Sequence, residues 1–200
     1  MDIINLTKYS SITSINVFLI VGYWNSINTV NTLIDAGCDP CIIHRIINTH
    51  TGVERQRIKQ VILTHVDNQN ISLLPLIKQK FNPVIYAYAK NFPEIDHTLK
   101  NGDKLKIGDA KAEIIHTAQD SKDSLCLYLE NEKILFSGNT RVVRDNFQNK
   151  NSENYLKPHS EYIKGPVKII YSSYGVPTFL DQKKVLSPIS KSIKNNTFNH

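Results

Sequence analysis

Val61-Ile62-Leu63-Thr64-His65-Val66-Asp67-Asn68-Gln69-Asn70-Ile71-Ser72 passes from an apolar, β-branched run into a crowd of polar side chains. The run has the character of a buried strand. Ser72-Leu73-Leu74-Pro75-Leu76-Ile77 then predicts a helix start. Ser72 is the expected N-cap and Pro75 falls in the first turn, where a missing N–H is harmless. Strand, polar loop, helix is the order found where an α/β sheet exposes side chains for chemistry, just past a strand's carboxyl end.

The flanking segments repeat that grammar. Ile15 to Val21 and Thr32 to Asp35 read as two strands, the second closing on Ile34-Asp35-Ala36-Gly37-Cys38, where glycine supplies a sharp bend. Asp39 is the expected cap of a helix with Pro40 at its first position. Ile42, Ile43, Ile46 and Ile47 share one face of it, and Gly52 is its expected stop. Phe81-Asn82-Pro83 ends the next helix and Val84 to Tyr88 is a further strand. His97 to Asn101 reads as a loop. Short strands follow at Lys104 to Ile107, Lys111 to His116, Leu125 to Leu129 and Ile134 to Phe136, separated by turn residues. Alternation puts Leu125, Leu127 and Leu129 on one face and Cys126 on the other. Asn146 to Lys164 is polar and loop-like, and a last helix kinked at Pro188 carries Val185, Ile189 and Ile193. Residues 195–200 are expected to fray.

Two hundred residues with 40% hydrophobic and 8% aromatic content suit one soluble domain with a large core, spanning residues 1–200. The 24 basic residues against 18 acidic ones leave a net charge of +6, but the bases are scattered and mostly lysine. A nucleic-acid surface shows a clustered stripe instead, so nucleic acid is not the expected partner. The apolar run Val17-Phe18-Leu19-Ile20-Val21 is too short to span a bilayer, and Met1-Asp2-Ile3-Ile4-Asn5 lacks a basic signal region. With three cysteines, the expectation is a reducing cytoplasm and no membrane partner. Cys38 and Cys41 form a C-x-x-C pair at a helix start, where a dipole lowers a thiol pKa. A zinc site needs two more ligands and only Cys126 remains, so the pair is read as structural, with a redox role as the alternative.

Several phrases together resemble the metallo-β-lactamase superfamily. The central stretch lies on that family's Thr-His-x-His-x-Asp-His signature, and Ile34-Asp35-Ala36-Gly37 on its I-D-x-G. Leu99-Lys100-Asn101-Gly102-Asp103-Lys104-Leu105-Lys106-Ile107-Gly108 matches L-x-D-G-D-x-L-x-I-G. Ile114-Ile115-His116-Thr117-Ala118-Gln119-Asp120 lies on V-I-H-T-P-G-H, and Ile134-Leu135-Phe136-Ser137-Gly138-Asn139 on V-L-F-S-G-D. Ser173-Tyr174-Gly175-Val176-Pro177 lies on the late G-H-G-x-P loop. The resemblance runs from about Ile3 to Pro177 in the right order. It implies a four-layer αββα sandwich and a metal-dependent hydrolase ancestry.

It also implies a ligand set, which this chain mostly lacks. His65 takes the first signature histidine, but Asp67 stands at the second, Gln69 at the aspartate and Asn70 at the last histidine. Asp120 stands at a later ligand histidine, Asn139 at the metal-bridging aspartate and Tyr174 at the final histidine. Asp35 corresponds to a residue that supports the site from outside the metal shell. In the family, imidazoles and carboxylates bind two metal ions that acidify a bound water. Gln69, Asn70, Asn139 and Tyr174 are neutral at pH 7 and offer a second metal no charge. The expectation is therefore a degraded dinuclear site without a cofactor, in a catalytically impaired pseudo-hydrolase whose cleft binds a small molecule or a partner, a second copy of the chain included. The alternative is a mononuclear hydrolase holding one Zn, Mn or Fe ion with His65, Asp67 and Asp120.

Overall fold

Edge-to-edge pairing of short β-branched strands builds two six-stranded sheets in the computed structural model, which describes residues 1–23, 28–51, 57–118, 121–140, 163 and 165–180. The first sheet holds, in spatial order, β1 (Asp2–Asn5), β2 (Phe18–Val21), β3 (Thr32–Ile34), β4 (Gln60–Ile62), β5 (Val84–Ala87) and β6 (His97–Thr98). β1 to β3 form an antiparallel meander, and β3 to β6 run parallel. Parallel neighbours need crossovers. α1 (Cys41–Asn48) crosses between β3 and β4, and α2 (Asn68–Ile71) with α3 (Leu74–Phe81) crosses between β4 and β5.

The second sheet runs from β7 (Lys104–Ile107) through β8 (Ala110–His116), β9 (Leu125–Leu129), β10 (Ile134–Gly138) and β11 (Ile169–Ser172) to β12 (Thr178–Phe179). β7 to β10 are antiparallel, β10 and β11 are parallel, and β12 returns antiparallel. Each sheet thus passes from an antiparallel meander to parallel pairing, which begins at β3–β4 in one and is confined to β10–β11 in the other.

The period-2 alternation sorts the side chains into layers. Ile42 and Ile46 of α1 and Leu74 and Ile77 of α3 pack on Leu19, Leu33, Val61 and Ile85, covering the outer face of the first sheet. Their neighbours Phe18, Ile20, Ile34 and Ile62 point the other way, onto Ile114, Leu125, Leu127 and Phe136 of the second sheet. Phe18 meets Phe136 and Tyr171 edge-on, at 5.7 and 5.3 Å between centroids. Ile115, Cys126, Tyr128, Leu135 and Ile170 form a third cluster on the second sheet's outer face, capped by Ile163, Val167 and Leu180. Helix, sheet and sheet are three layers of the expected αββα sandwich. The polar stretch at 146–164 lies almost wholly outside the described residues, and the last helix around Pro188 lies outside them altogether.

Three local expectations change, and Asp2–Asn5, for which the sequence carried no expectation, is an edge strand paired with β2. His97–Thr98 is a strand rather than a loop, held parallel to β5. Ser72 does not cap the next helix: its hydroxyl turns back to the Asn68 carbonyl, and Leu73 stands at the N-cap of α3 with no side-chain bond. α1 starts at Cys41, one residue after Pro40, with the Asp39 carboxylate accepting from the Cys41 N–H at 2.8 Å. That helix ends at Asn48; Gly52 lies outside the described residues.

Candidate functional site

The carboxyl ends of β3, β4, β8, β10 and β11 gather at one edge of the sandwich, drawn together by backbone groups. Gly138 ends β10 with φ +55°, and a Cβ there would stand 2.7 Å from the Cβ of Thr64. Only glycine permits that approach between the two sheets. The Thr64 carbonyl accepts from the Leu125 N–H at 2.8 Å, and the Val66 N–H donates to Asp123 Oδ2 at 2.9 Å. Thr117 and Thr140 join hydroxyls at 3.0 Å. Asn16 brackets the loop after β11: its N–H donates to the Ser173 carbonyl at 2.7 Å, and Nδ2 donates to the carbonyls of Ser172 and Gly175 at 2.9 and 2.8 Å.

Within this frame the polar residues of the central stretch turn on each other. Asp35, just past β3 with φ 60°, is buried beneath Thr64. Its Oδ1 accepts from the Thr64 N–H at 2.8 Å and its Oδ2 from the Thr64 hydroxyl at 2.8 Å. Burial pushes the Asp35 carboxyl up to about 6, against the opposing effect of the bonds it accepts from Thr64. Asp67 caps α2: Oδ1 accepts from the Asn70 N–H at 2.8 Å, while Oδ2 lies 2.8 Å from His65 Nε2. The Asn70 carbonyl accepts from the N–H groups of Ala36 and Gly37, tying α2 to the end of β3.

His65 is buried, and both of its ring nitrogens face protein. Asn70 Nδ2 stands 2.9 Å from Nδ1 and 2.7 Å from Nε2, and the Thr64 hydroxyl is 3.1 Å from Nδ1. A neutral imidazole has one N–H and one lone pair. With Nε2–H donating to Asp67 and the Thr64 hydroxyl donating to Asp35, the lone pair is on Nδ1 and takes its hydrogen from the Asn70 amide. In this tautomer the Asn70 amide serves Nδ1, while its 2.7 Å approach to Nε2 and the Thr64 oxygen's 3.1 Å approach to Nδ1 are packing contacts and not hydrogen bonds.

The structure therefore brings His65, Asp67, Asn70 and Asp35 together. Gln69 lies on the exposed side of α2. Asn139 follows Gly138, half-buried, and Tyr174 is 45% exposed in the loop held by Asn16. Asp120 lies outside the described residues. His116 stacks on Tyr88 at 3.8 Å with Nε2 2.8 Å from the Lys122 carbonyl, and Asp123 holds Val66. Among the described residues, no three His, Cys, Asp or Glu side chains cluster as a metal would require. The donors as they stand do not fit a pair of metal ions. Both nitrogens of His65 and both oxygens of Asp67 have protein partners, and Gln69, Asn70 and Asn139 are amides, poor ligands for a dication.

Asn16 and Asp123 carry no motif of their own, and sequence alone did not single them out; their importance comes from contacts to distant loops. The C-x-x-C pair is not a bridge. Burial and the neighbouring Asp39 carboxylate push the Cys41 thiol up to about 11, opposite to what a reactive cysteine needs. His44, His50 and His97 are exposed on the surface; His159 lies outside the described residues.

Residues 12–173 match the model of the metallo-beta-lactamase superfamily. The hydroxyacylglutathione hydrolase of Methylobacterium nodulans is 26% identical over 87 residues, covering 42% of this chain and 34% of that protein. That of Rhodopseudomonas palustris is 26% identical over 86 residues, with the same shares. The match thus spans about a third of the length of these curated relatives. Among solved structures, BLEG-1 B3 metallo-beta-lactamase superposes with a TM-score of 0.63 at 19% identity, over 89% of this chain and 93% of that one. ETHE1 from Myxococcus xanthus gives a TM-score of 0.67 at 17% identity, over 90% and 80%. These likenesses are of fold.

Proposed function

The chain belongs to the metallo-beta-lactamase superfamily, and we propose that it is a member whose dinuclear metal centre has given way to a hydrogen-bonded polar cluster. The cleft then serves to bind a small-molecule ligand, and hydrolysis is lost or greatly weakened. The observation that carries this is the closure of His65. The one histidine retained from the ligand signature is buried, with Asp67 on Nε2 and the Asn70 amide against its ring nitrogens, so its lone pair is turned onto protein. The fold is otherwise kept, down to the glycine at 138 that lets β10 approach Thr64.

Two assays test this. Hydroxyacylglutathione, the substrate named for the relatives, should not be turned over above background by the native chain. The variant carrying Asp67→His, Gln69→Asp, Asn70→His, Asp120→His, Asn139→Asp and Tyr174→His should bind about two zinc ions in calorimetry, because each ion needs three or more protein ligands together. Turnover of hydroxyacylglutathione by the native chain contradicts the proposal. A folded sixfold variant that binds no zinc contradicts the residue assignments behind it.

One observation favours a second reading, a mononuclear hydrolase using His65, Asp67 and Asp120. The Asp123–Val66 bond brings Asp123, three positions after Asp120 in sequence, against the segment that carries the other two, and the Asp67 side chain is 44% exposed. An aspartate reaches less far than a histidine, so the backbone would have to shift to keep metal–oxygen distances of about 2.0–2.2 Å. Stoichiometric metal in the native protein, lost in Asp120→Ala, would establish it.

A further inference from the structure

The side chain that replaces the last signature histidine does more than fail to bind metal. Asn70 is 1% exposed, its backbone N–H is capped by Asp67, and its carbonyl receives two N–H groups from the end of β3. Its amide nitrogen faces both nitrogens of His65. An N–H donor thus stands beside the imidazole lone pair with the Asp67 carboxylate on the other ring nitrogen, where an electron-poor centre is what the acceptors need. The amide Oδ1, by contrast, is buried without a hydrogen-bond partner.

We infer that Asn70 is an internal substitute for a cation: its amide NH₂ satisfies His65 and makes the Asp35–Thr64–His65–Asp67 cluster self-sufficient. The cluster is then a latch that fixes α2 to the ends of β3 and β4 and preforms the floor of the cleft with no ion. This rests on the reading of the cleft as metal-free and adds how that state is held. Replacing the amide by a carboxylate of the same shape should invert the electrostatics. In Asn70→Asp two carboxylates flank one imidazole, and the acceptors again need a cation.

The test is thermal melting of native protein, Asn70→Ala and Asn70→Asp, each with EDTA and with zinc. The native Tm should be the same in both conditions. Asn70→Ala should melt about 5 °C lower or more, in both conditions, since it strips a buried donor from His65. Asn70→Asp should melt lower in EDTA and recover with zinc, because an ion bound by the native state alone stabilises it. Either variant as stable as the native chain in EDTA overturns the inference, and so does an Asn70→Asp protein that zinc leaves unmoved. Should a variant not fold, nitrogen-15 NMR of His65 in the native protein decides. The expected neutral form carries hydrogen on Nε2 with Nδ1 accepting; hydrogen on Nδ1 overturns the inference. Stoichiometric metal in the native protein would instead sink the functional proposal itself, so the two failures are distinct.

Discussion

Asp35 shows how far one residue can be followed. Its place was legible: Ile34-Asp35-Ala36-Gly37 closes a strand, and the family likeness puts a supporting carboxylate there. The structure adds the cost of the position, with the carboxyl buried and pushed up from 3.8 to about 6. A raised carboxyl means that the folded state holds its proton more tightly than the unfolded chain. Stability from this group therefore falls as pH rises through roughly 4 to 6, and above that the burial penalty stands in full, on the order of 3 kcal/mol. Asp35→Asn keeps an acceptor for the Thr64 N–H and suits the left-handed φ. The Tm of this variant relative to the native chain should rise between about pH 4 and pH 7. A difference that stays flat over that range would show that the carboxyl is not perturbed as described.

At the scale of elements, the strands and helices with strong periodicity were legible, and the weak ones were not. β1 and β6 are short and lie at sheet edges, where half-exposed side chains give no alternation to read. The register of β6 comes instead from Asp96, whose Oδ2 accepts from Ile85 N–H and whose N–H donates to the Ile85 carbonyl. The N-cap at Ser72 failed for a different reason. Asp67 is the residue that caps, but it caps the short α2, which ends just before Ser72. Gly138 is the sharpest test at this scale, since it sets the contact between β10 and the loop after β4. Gly138→Ala must adopt a left-handed φ, costing about 1–3 kcal/mol, and must also push Thr64 away from Asp35 and His65. Urea denaturation should show at least that loss. A change within about half a kcal/mol would mean that the two sheet ends are not in fixed contact.

Across the whole molecule, the two-sheet architecture was present in the alternation of Leu125, Leu127 and Leu129 and in the β-branched runs, because burial on one or both faces writes itself into sequence. The assembly of the site was only partly written there. Asn16 reaches Ser172 and Gly175, more than 150 positions away, and no local pattern announces such a bond. What the sequence did display was amides and a phenol at positions where the family resemblance implies charged or imidazole ligands. In the structure His65 and Asp67 lie against each other, with the Asn70 amide on the imidazole. The measurement that tests this most directly is the metal content of the native protein purified without chelator, determined by inductively coupled plasma mass spectrometry. A closed His65 predicts zinc, manganese and iron together well below one ion per chain. One or two ions per chain, retained through dialysis, would contradict it.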